Sequence, residues 1–97
     1  MVYTNIVFQW DDAKARANAF KHLIRFEEAA GVFDDHKALT LDDPVHSRAE
    51  NRKRLIGETA AGRVIAVIFT FRPGPTIRLI SARPASREER SQYEEQR

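Results

Sequence analysis

The chain has 97 residues, no cysteine and a formal charge of +2 at pH 7. This length suits one domain, residues 1–97, with a single hydrophobic core, and the lack of cysteine excludes disulfides and thiolate metal sites. No apolar run is long enough to cross a bilayer and the N-terminus lacks a signal-peptide pattern, so we expect a soluble cytoplasmic protein with no membrane partner.

Positive charge is concentrated in the second half of the chain. Residues 1–47 contain 5 Lys and Arg against 8 Asp and Glu, whereas residues 48–90 contain 10 against 4, and nine of those ten cations are arginine. The planar guanidinium group matches phosphate with paired hydrogen bonds. Segregated arginine on a small domain therefore favours a nucleic-acid partner. A solvated surface or a dock for an acidic protein is the alternative.

The first predicted elements are a strand and a helix. Residues 3–10 alternate loosely and indicate a strand, and Asp11 is a suitable N-cap for a helix over residues 12–21. An apolar stripe at helical spacing predicts the inner side of this helix, made of Ala13, Ala17, Phe20 and Ile24.

A polar stripe would then face outward on the same helix, made of Lys14, Asn18, Lys21 and His22. Two cations, an amide and an imidazole could hold phosphate and move a proton. Any surface helix carries a similar stripe, so an ordinary solvated face is the alternative.

A short second helix and a brief strand follow. The helical period continues through four apolar residues, Phe26, Ala29, Ala30 and Phe33, and residues 38–41 read as a strand. Paired aspartates at 34–35 and 42–43, with His36 and His46 nearby, are residue types that bind divalent ions. They flank a strand, where Asp commonly forms caps and turns, and no metal-site spacing is present. We therefore predict turns here, with no metal and no cofactor.

Three consecutive strands are predicted over residues 52–59, 63–72 and 76–83. The middle segment is almost continuously β-branched and aromatic, which indicates a central strand covered on both faces. The turns on either side are short and contain glycine, so both neighbours should be antiparallel hairpin partners. With one N-terminal strand and the brief strand, the sequence predicts an α+β fold. It has an antiparallel sheet of four to five strands, two N-terminal helices and one C-terminal helix.

Symmetric hairpins bring arginines of neighbouring strands onto one face of this sheet. Arg52 falls beside Thr70, which falls beside Arg78, and the next row aligns Arg54, Ile68 and Ile80. The opposite face is apolar and predicts the core: Leu55, Val67, Phe69, Phe71, Ile77 and Leu79. A cationic surface beside apolar residues is costly unless an anion binds there.

This arginine cluster carries the main chemical hypothesis. The sequence contains no serine-hydrolase, Walker or dinucleotide-binding motif. Arginine stays protonated, so it cannot act as a base, but it can hold a phosphodiester and stabilise the added negative charge of a five-coordinate transition state. In a metal-independent ribonuclease the ribose 2′-hydroxyl supplies the nucleophile. Arg54 and Arg78 would then hold the scissile phosphate, and Arg52, Arg72 and Arg83 the flanking backbone.

Proton transfer and the catalytic role itself stay open at this point. His22, Glu58, Tyr93 or a water bound to the substrate could move the proton, and Lys14 and Lys21 could add RNA contacts. A noncatalytic arginine-faced module that binds RNA or protein is the alternative.

The last predicted helix begins at a capping box formed by Ser86 and Glu89. Tyr93 is its one sizeable apolar residue. We therefore expect this helix either to lie loosely on the sheet or to await a partner.

Several segments together resemble the BrnT toxins of BrnT/BrnA type II toxin–antitoxin systems. The resemblance rests on Phe8-Gln9-Trp10-Asp11 with Lys14, Asn18 and Lys21-His22, Phe26-Glu27-Glu28-Ala29, Phe33-Asp34-Asp35, Asp43-Pro44 with His46-Ser47, Arg52 with Ile56-Gly57, and Ile77-Arg78 with Ile80-Ser81-Ala82-Arg83, Glu89-Arg90 and Tyr93. These blocks occur in order along essentially the whole chain.

The resemblance implies a RelE-like fold, RNA cleavage that inhibits translation, and a BrnA-type antitoxin that neutralises the toxin in a hetero-oligomer. It also implies that operator DNA is contacted only through the antitoxin. One departure is Leu23, since the family usually has glycine after Lys-His. Glycine there would end the helix in a left-handed conformation, which leucine adopts at a cost of about 1 kcal/mol or more.

Overall fold

A computed structural model describes residues 5–43 and 51–96. In chain order the elements are β1 (Val7–Gln9), α1 (Asp12–His22), α2 (Phe26–Ala30), a 3-10 helix (Gly31–Asp34), β2 (Leu39–Asp42), β3 (Arg52–Glu58), β4 (Val64–Arg72), β5 (Thr76–Pro84) and α3 (Arg87–Glu94). The start of the predicted first strand and the loop with His46 lie outside the described residues. Within those residues, every helix is too short and too polar to span a lipid bilayer.

The five strands form one sheet in the order β1-β5-β4-β3-β2. The pairs β2/β3, β3/β4 and β4/β5 are antiparallel, as predicted. β1 pairs in parallel with β5 at one edge, so the sheet is mixed and not wholly antiparallel. The central strand β4 is buried over residues 65–70, because helices cover both faces of the sheet. The predicted α+β fold, with two N-terminal helices and one C-terminal helix, is therefore confirmed.

The main core lies between the sheet and the N-terminal helices. Phe26, Leu55, Val67 and Phe69 are each at most 1% exposed within this cluster. Phe33 packs edge-on against Phe69, with ring centroids 5.1 Å apart. The apolar face predicted for β3, β4 and β5 is therefore the core face, although Phe71, near its end, is 50% exposed.

The orientation predicted for α1 is wrong, although Ile24, the fourth residue of the predicted inner stripe and just beyond the helix end, is buried in the core. Phe20 is 89% exposed, Ala13 and Ala17 are also exposed, and the buried residue is Asn18. The Asn18 amide donates to the carbonyl oxygen of Ala82 (2.8 Å) and accepts from its N–H (3.0 Å). β1 pairs only with the first part of β5, so the N–H and carbonyl groups of Ala82 have no strand beside them and need a side-chain partner. Each buried polar group without a hydrogen bond costs about 1–3 kcal/mol. This polar requirement outweighs the burial of one phenylalanine.

The end of α1 takes the left-handed conformation expected for a glycine position. Leu23 has φ 59° and ψ 33°, and its N–H donates to the Ala19 carbonyl. Arg63 donates to the Leu23 carbonyl oxygen (3.0 Å) and forms an ion pair with Glu28. These contacts hold the left-handed residue in place between α1 and α2.

A β-bulge changes the predicted register of the last hairpin. Thr70 pairs with Arg78 as predicted, but Ile68 pairs with Ser81, so the predicted alignment with Ile80 is wrong. The extra residue shifts the alternation of side chains beyond it by one position. Ala82 consequently joins the core. Arg83 reaches the opposite side of the sheet.

Candidate functional site on the arginine face

Four arginines share the side of the sheet opposite the main core. The register places Arg52 beside Thr70 and Thr70 beside Arg78, while Arg54 lies one row further along β3. Arg83 joins this side because of the bulge. All four are half-buried, and we call Arg52, Arg54, Arg78 and Arg83 the arginine face. Arg72 lies at the hairpin mouth, opposite Thr76.

A carboxylate from α3 binds two of these arginines. Glu89 accepts two hydrogen bonds from Arg83, at 2.7 and 2.9 Å, and one from Arg54 at 2.5 Å. Its side chain is 4% exposed. Glu89 also closes the predicted capping box, since its Oε1 accepts from the N–H of Ser86 at 2.9 Å. The sequence therefore located Glu89 correctly as a cap but did not reveal its contact with the arginines.

The arginine contacts keep Glu89 ionised. Burial alone would raise the pKa of Glu89, but hydrogen bonds from Arg83, from the Ser86 N–H and from Arg54 together lower it to about 2. Reciprocally, the hydrogen bonds to Glu89 raise the pKa of Arg83, against the effect of burial. A carboxyl group of such low pKa is a poor proton acceptor at neutral pH, so Glu89 is unsuited to act as a general base.

Asp43 adds a second negative charge at the border of this face. It is buried, its N–H donates to the Arg52 carbonyl oxygen at 3.1 Å, and its charge contributes to the raised pKa of Arg83. Four arginines against two carboxylates still leave a formal charge of +2 on the group. The surface therefore retains the capacity to attract an anion.

Polar contacts fix α3 over the sheet. Besides the Glu89 contacts, Tyr93 is 5% exposed, packs beside Ile56 and Ala66, and donates from its hydroxyl to Asp35 at 2.6 Å. The expectation that α3 lies loosely or awaits a partner is therefore wrong. That expectation rested on the small apolar surface of α3 and did not include its hydrogen bonds to the sheet and to Asp35.

Asp35, one of the paired aspartates, has a structural role. Its carboxylate also accepts from the N–H groups of Lys37 (3.0 Å) and Glu58 (2.9 Å). Burial raises its pKa, but the bonds from Tyr93 and from these N–H groups outweigh burial and lower it. This agrees with the turn interpretation of the aspartate pair at 34–35.

The remaining predicted site residues lie on α1, which packs on the core side of the sheet. Lys14 and Lys21 are exposed and His22 is half-buried. The N-terminus of α1 lies near Arg78, because α1 follows β1 and the last residue of β1, Gln9, pairs with Arg78. A backbone hydrogen bond from Lys14 is the main cause that lowers the Asp11 pKa, and the charge of Arg78 adds a smaller effect. Lys21 and His22 lie two turns further along the helix. The structure therefore groups the arginines but does not bring His22 among them.

These features define a small α+β protein with a cationic sheet surface suited to a phosphodiester. The sequence profile of the family described as "Ribonuclease toxin, BrnT, of type II toxin-antitoxin system" matches residues 10–89, and the chain belongs to this family. It is therefore a ribonuclease toxin of a toxin–antitoxin system.

A solved structure supports the same assignment. The chain is similar to the crystal structure of the Brucella abortus ribonuclease toxin BrnT, with 27% sequence identity and a TM-score of 0.67 over 86% of this chain and 100% of that one. A comparison with proteins of curated function found no match.

Proposed function

We propose that the arginine face binds the RNA backbone and that cleavage proceeds without a metal ion. Arg54 and Arg78 hold the scissile phosphate, and Arg52, Arg72 and Arg83 contact the flanking backbone. The ribose 2′-hydroxyl attacks the adjacent phosphorus, the 5′-oxygen of the next nucleotide leaves with a proton, and a 2′,3′-cyclic phosphate remains. The observation that supports this assignment is that arginines of two strands, β3 and β5, lie on one side of the sheet, on either side of the central strand β4.

The four arginines differ in how they are held. Arg54 and Arg83 are fixed by Glu89, which orients their guanidinium groups and also competes with phosphate for the same N–H donors. Arg78 stands next to buried Thr70, away from the Glu89 contacts. We therefore assign the largest share of transition-state stabilisation to Arg78. Removing such a charge typically slows cleavage by about 100- to 1,000-fold.

Contacts outside the arginine face are assigned by position. Lys14 lies in the first turn of α1, shortly after Gln9, which pairs with Arg78, and we assign it to the flanking backbone of the RNA. Lys21 lies further from the face, and its RNA contact rests on the sequence stripe alone.

Proton transfer has a separate test. The sequence indicates His22 as a candidate proton carrier, and this residue is half-buried on the core side of the sheet. Loss of cleavage with retained RNA binding in His22→Gln assigns the proton to this imidazole. Undiminished cleavage excludes His22 and leaves Glu58, Tyr93 or a water bound to the substrate.

The biological setting follows from the family. We propose that the protein acts on cellular RNA in the cytoplasm and inhibits translation. A BrnA-type antitoxin neutralises it in a hetero-oligomer, and operator DNA is contacted only through that antitoxin.

Incubation of purified protein with single-stranded RNA in EDTA tests the enzymatic assignment. Cleavage that leaves 2′,3′-cyclic ends, identified by mass spectrometry, supports it. Arg78→Ala and Arg54→Ala should lose cleavage, whereas Arg87→Ala removes the same charge from an exposed position on α3 and should retain it.

The variants also control for a contaminating nuclease, because all are purified in parallel. Their fold is checked by circular dichroism. Equal cleavage by wild type and Arg78→Ala would contradict the assignment. RNA binding without cleavage under the same conditions would favour the noncatalytic module.

A further inference from the structure

The outward side of α1 presents apolar surface to solvent. Phe20 is 89% exposed and Leu23 is 75% exposed. Ala13, Ala17 and Phe20 are spaced i, i+4 and i+7, so they lie on one face of the helix, and all three are exposed. We call Ala13, Ala17, Phe20 and Leu23 the outer stripe. Single exposed apolar residues are ordinary, but two large ones close in sequence to two exposed alanines on the same helix face call for an explanation.

Positive charges border this stripe. At 100° per residue, Lys14 and Lys21 lie along one side of it and Arg16 along the other, and all three are exposed. Within the helix itself Asp12 is the single acidic residue. The complementary partner surface is therefore apolar along its centre and acidic along its edges.

We propose that the outer stripe is the docking surface for the antitoxin, which contributes an amphipathic segment with acidic residues flanking apolar ones. This inference rests on the antitoxin partnership proposed above. The stripe runs over eleven residues, from Ala13 to Leu23, or about 15 Å along the helix axis, which accommodates two to three turns of a partner helix. Ala13 and Ala17 leave room for close approach, and Phe20 inserts between the partner's apolar side chains.

Charge argues against a second copy of this chain on the stripe. A two-fold contact would bring Lys14, Arg16 and Lys21 of one protomer against the same residues of the other, and like charges at an interface oppose association. An RNA strand would meet the cations, but the two alanines and Leu23 give its bases no aromatic surface on which to stack beyond Phe20. An acidic amphipathic segment complements both parts of this surface, because its apolar residues pack on the centre and its carboxylates pair with the bordering cations.

The apolar residues of the outer stripe lie away from the arginine face, which carries the cleavage chemistry. Lys14 and Lys21 at its border are also assigned to RNA, so Phe20 is the residue that tests docking separately. α1 packs on the core side of the sheet, whereas the arginine face is on the other side. Phe20 makes no contribution to the core, since it is almost fully exposed. Replacing Phe20 should therefore weaken antitoxin binding without unfolding the protein or removing RNA cleavage.

The experiment uses the full chain, with the BrnA-type antitoxin proposed above as the probe. We expect Phe20→Glu to bind this probe at least tenfold more weakly than wild type in calorimetry, while cleaving RNA at the wild-type rate. Lys21→Glu should also bind more weakly, and the loss should shrink as salt increases. Arg87→Glu, an equal charge reversal on exposed α3, should bind like wild type.

Four other outcomes would contradict the assignment of the outer stripe to the antitoxin, and each points to a different explanation. Equal probe binding by wild type and Phe20→Glu places the antitoxin elsewhere, whether or not RNA is cleaved. Loss of RNA binding in Phe20→Glu with unchanged probe binding assigns the stripe to RNA. A wild-type dimer that Phe20→Glu converts to a monomer assigns it to a second copy. A probe that does not bind wild type refutes the antitoxin partnership as well, while the cleavage assay in EDTA still judges the nuclease separately.

Discussion

Replacing Glu89 by glutamine tests whether the carboxylate that bridges two arginines holds α3 on the sheet. The substitution keeps the shape of the side chain but removes the charge that Arg54 and Arg83 share. The pKa of Glu89 is lowered from 4.5 to about 2, and at 1.36 kcal/mol per pKa unit this corresponds to about 3 kcal/mol of stability at neutral pH. Breaking a buried ion pair from one side costs a similar amount, about 3–5 kcal/mol.

The assay is urea denaturation followed by circular dichroism at several pH values. With an m value of about 1–2 kcal/mol per M, Glu89→Gln should lower the urea midpoint at pH 7 by about 1.5–3 M. Because the folded-state pKa lies below the unfolded one, the contribution of Glu89 is complete above about pH 5 and is lost as pH falls from 4.5 towards 2. The difference between wild type and variant should therefore shrink over this range.

Glu88→Gln is the matched control, because Glu88 is the exposed neighbour on the same helix and the substitution removes the same charge. Its free energy of unfolding should stay within about 0.5 kcal/mol of wild type. The reasoning is refuted if Glu89→Gln costs less than about 1 kcal/mol at pH 7, or if its cost is the same at pH 2 as at pH 7.

Three further substitutions have defined outcomes for stability, each measured by urea denaturation. Asn18→Ala should cost about 1–3 kcal/mol because it leaves the buried N–H and carbonyl of Ala82 without their amide partner, and an unchanged midpoint would contradict that contact. Leu23→Gly should stabilise the protein by about 1 kcal/mol, since φ is 59° at this residue, and a loss of stability would show that the left-handed conformation is not strained. Gly57→Ala should cost about 1–3 kcal/mol, because its Cβ would lie 2.6 Å from a methyl group of Val32, whereas an equally stable variant would show that β3 can move away.

RNA binding by Glu89→Gln should change in the opposite direction to stability. If phosphate and Glu89 compete for Arg54 and Arg83, removing the carboxylate releases N–H donors and adds one unit of positive charge. We expect tighter RNA binding by filter assay and a salt dependence steeper by about one unit of slope. Unchanged binding would indicate that Arg54 and Arg83 serve the fold and not the RNA.

Much of the sheet could be predicted from the sequence because its signals are local. The apolar run of β4 and the short glycine turns on either side set the hairpin pairing, so Arg52, Thr70 and Arg78 were aligned correctly. The bulge at Ile80 could not be predicted, since no residue type there demands it. Its consequence is that Arg83 reaches the face of Arg54.

The errors elsewhere come from polar side chains with structural roles. The helical period places Asn18 on the outward side of α1, whereas in the structure its amide bonds to the backbone of Ala82 and that side of the helix faces the sheet. The spacing of Glu89 from Ser86 predicts the capping box, but it does not predict which sheet residues the Glu89 side chain contacts. Contacts between residues distant in sequence, such as that of Arg54 with Glu89, require the fold before they can be seen.

The amide of Asn18 has a further effect on how the sheet meets its surroundings. A β-strand with free N–H and carbonyl groups along its border can recruit a strand from another molecule and so begin aggregation. β1 pairs only with the first part of β5. At Ala82 the amide of Asn18 makes the two hydrogen bonds that a residue of a neighbouring strand would otherwise make. Helix α1 thereby closes a border that would otherwise be open to intermolecular pairing.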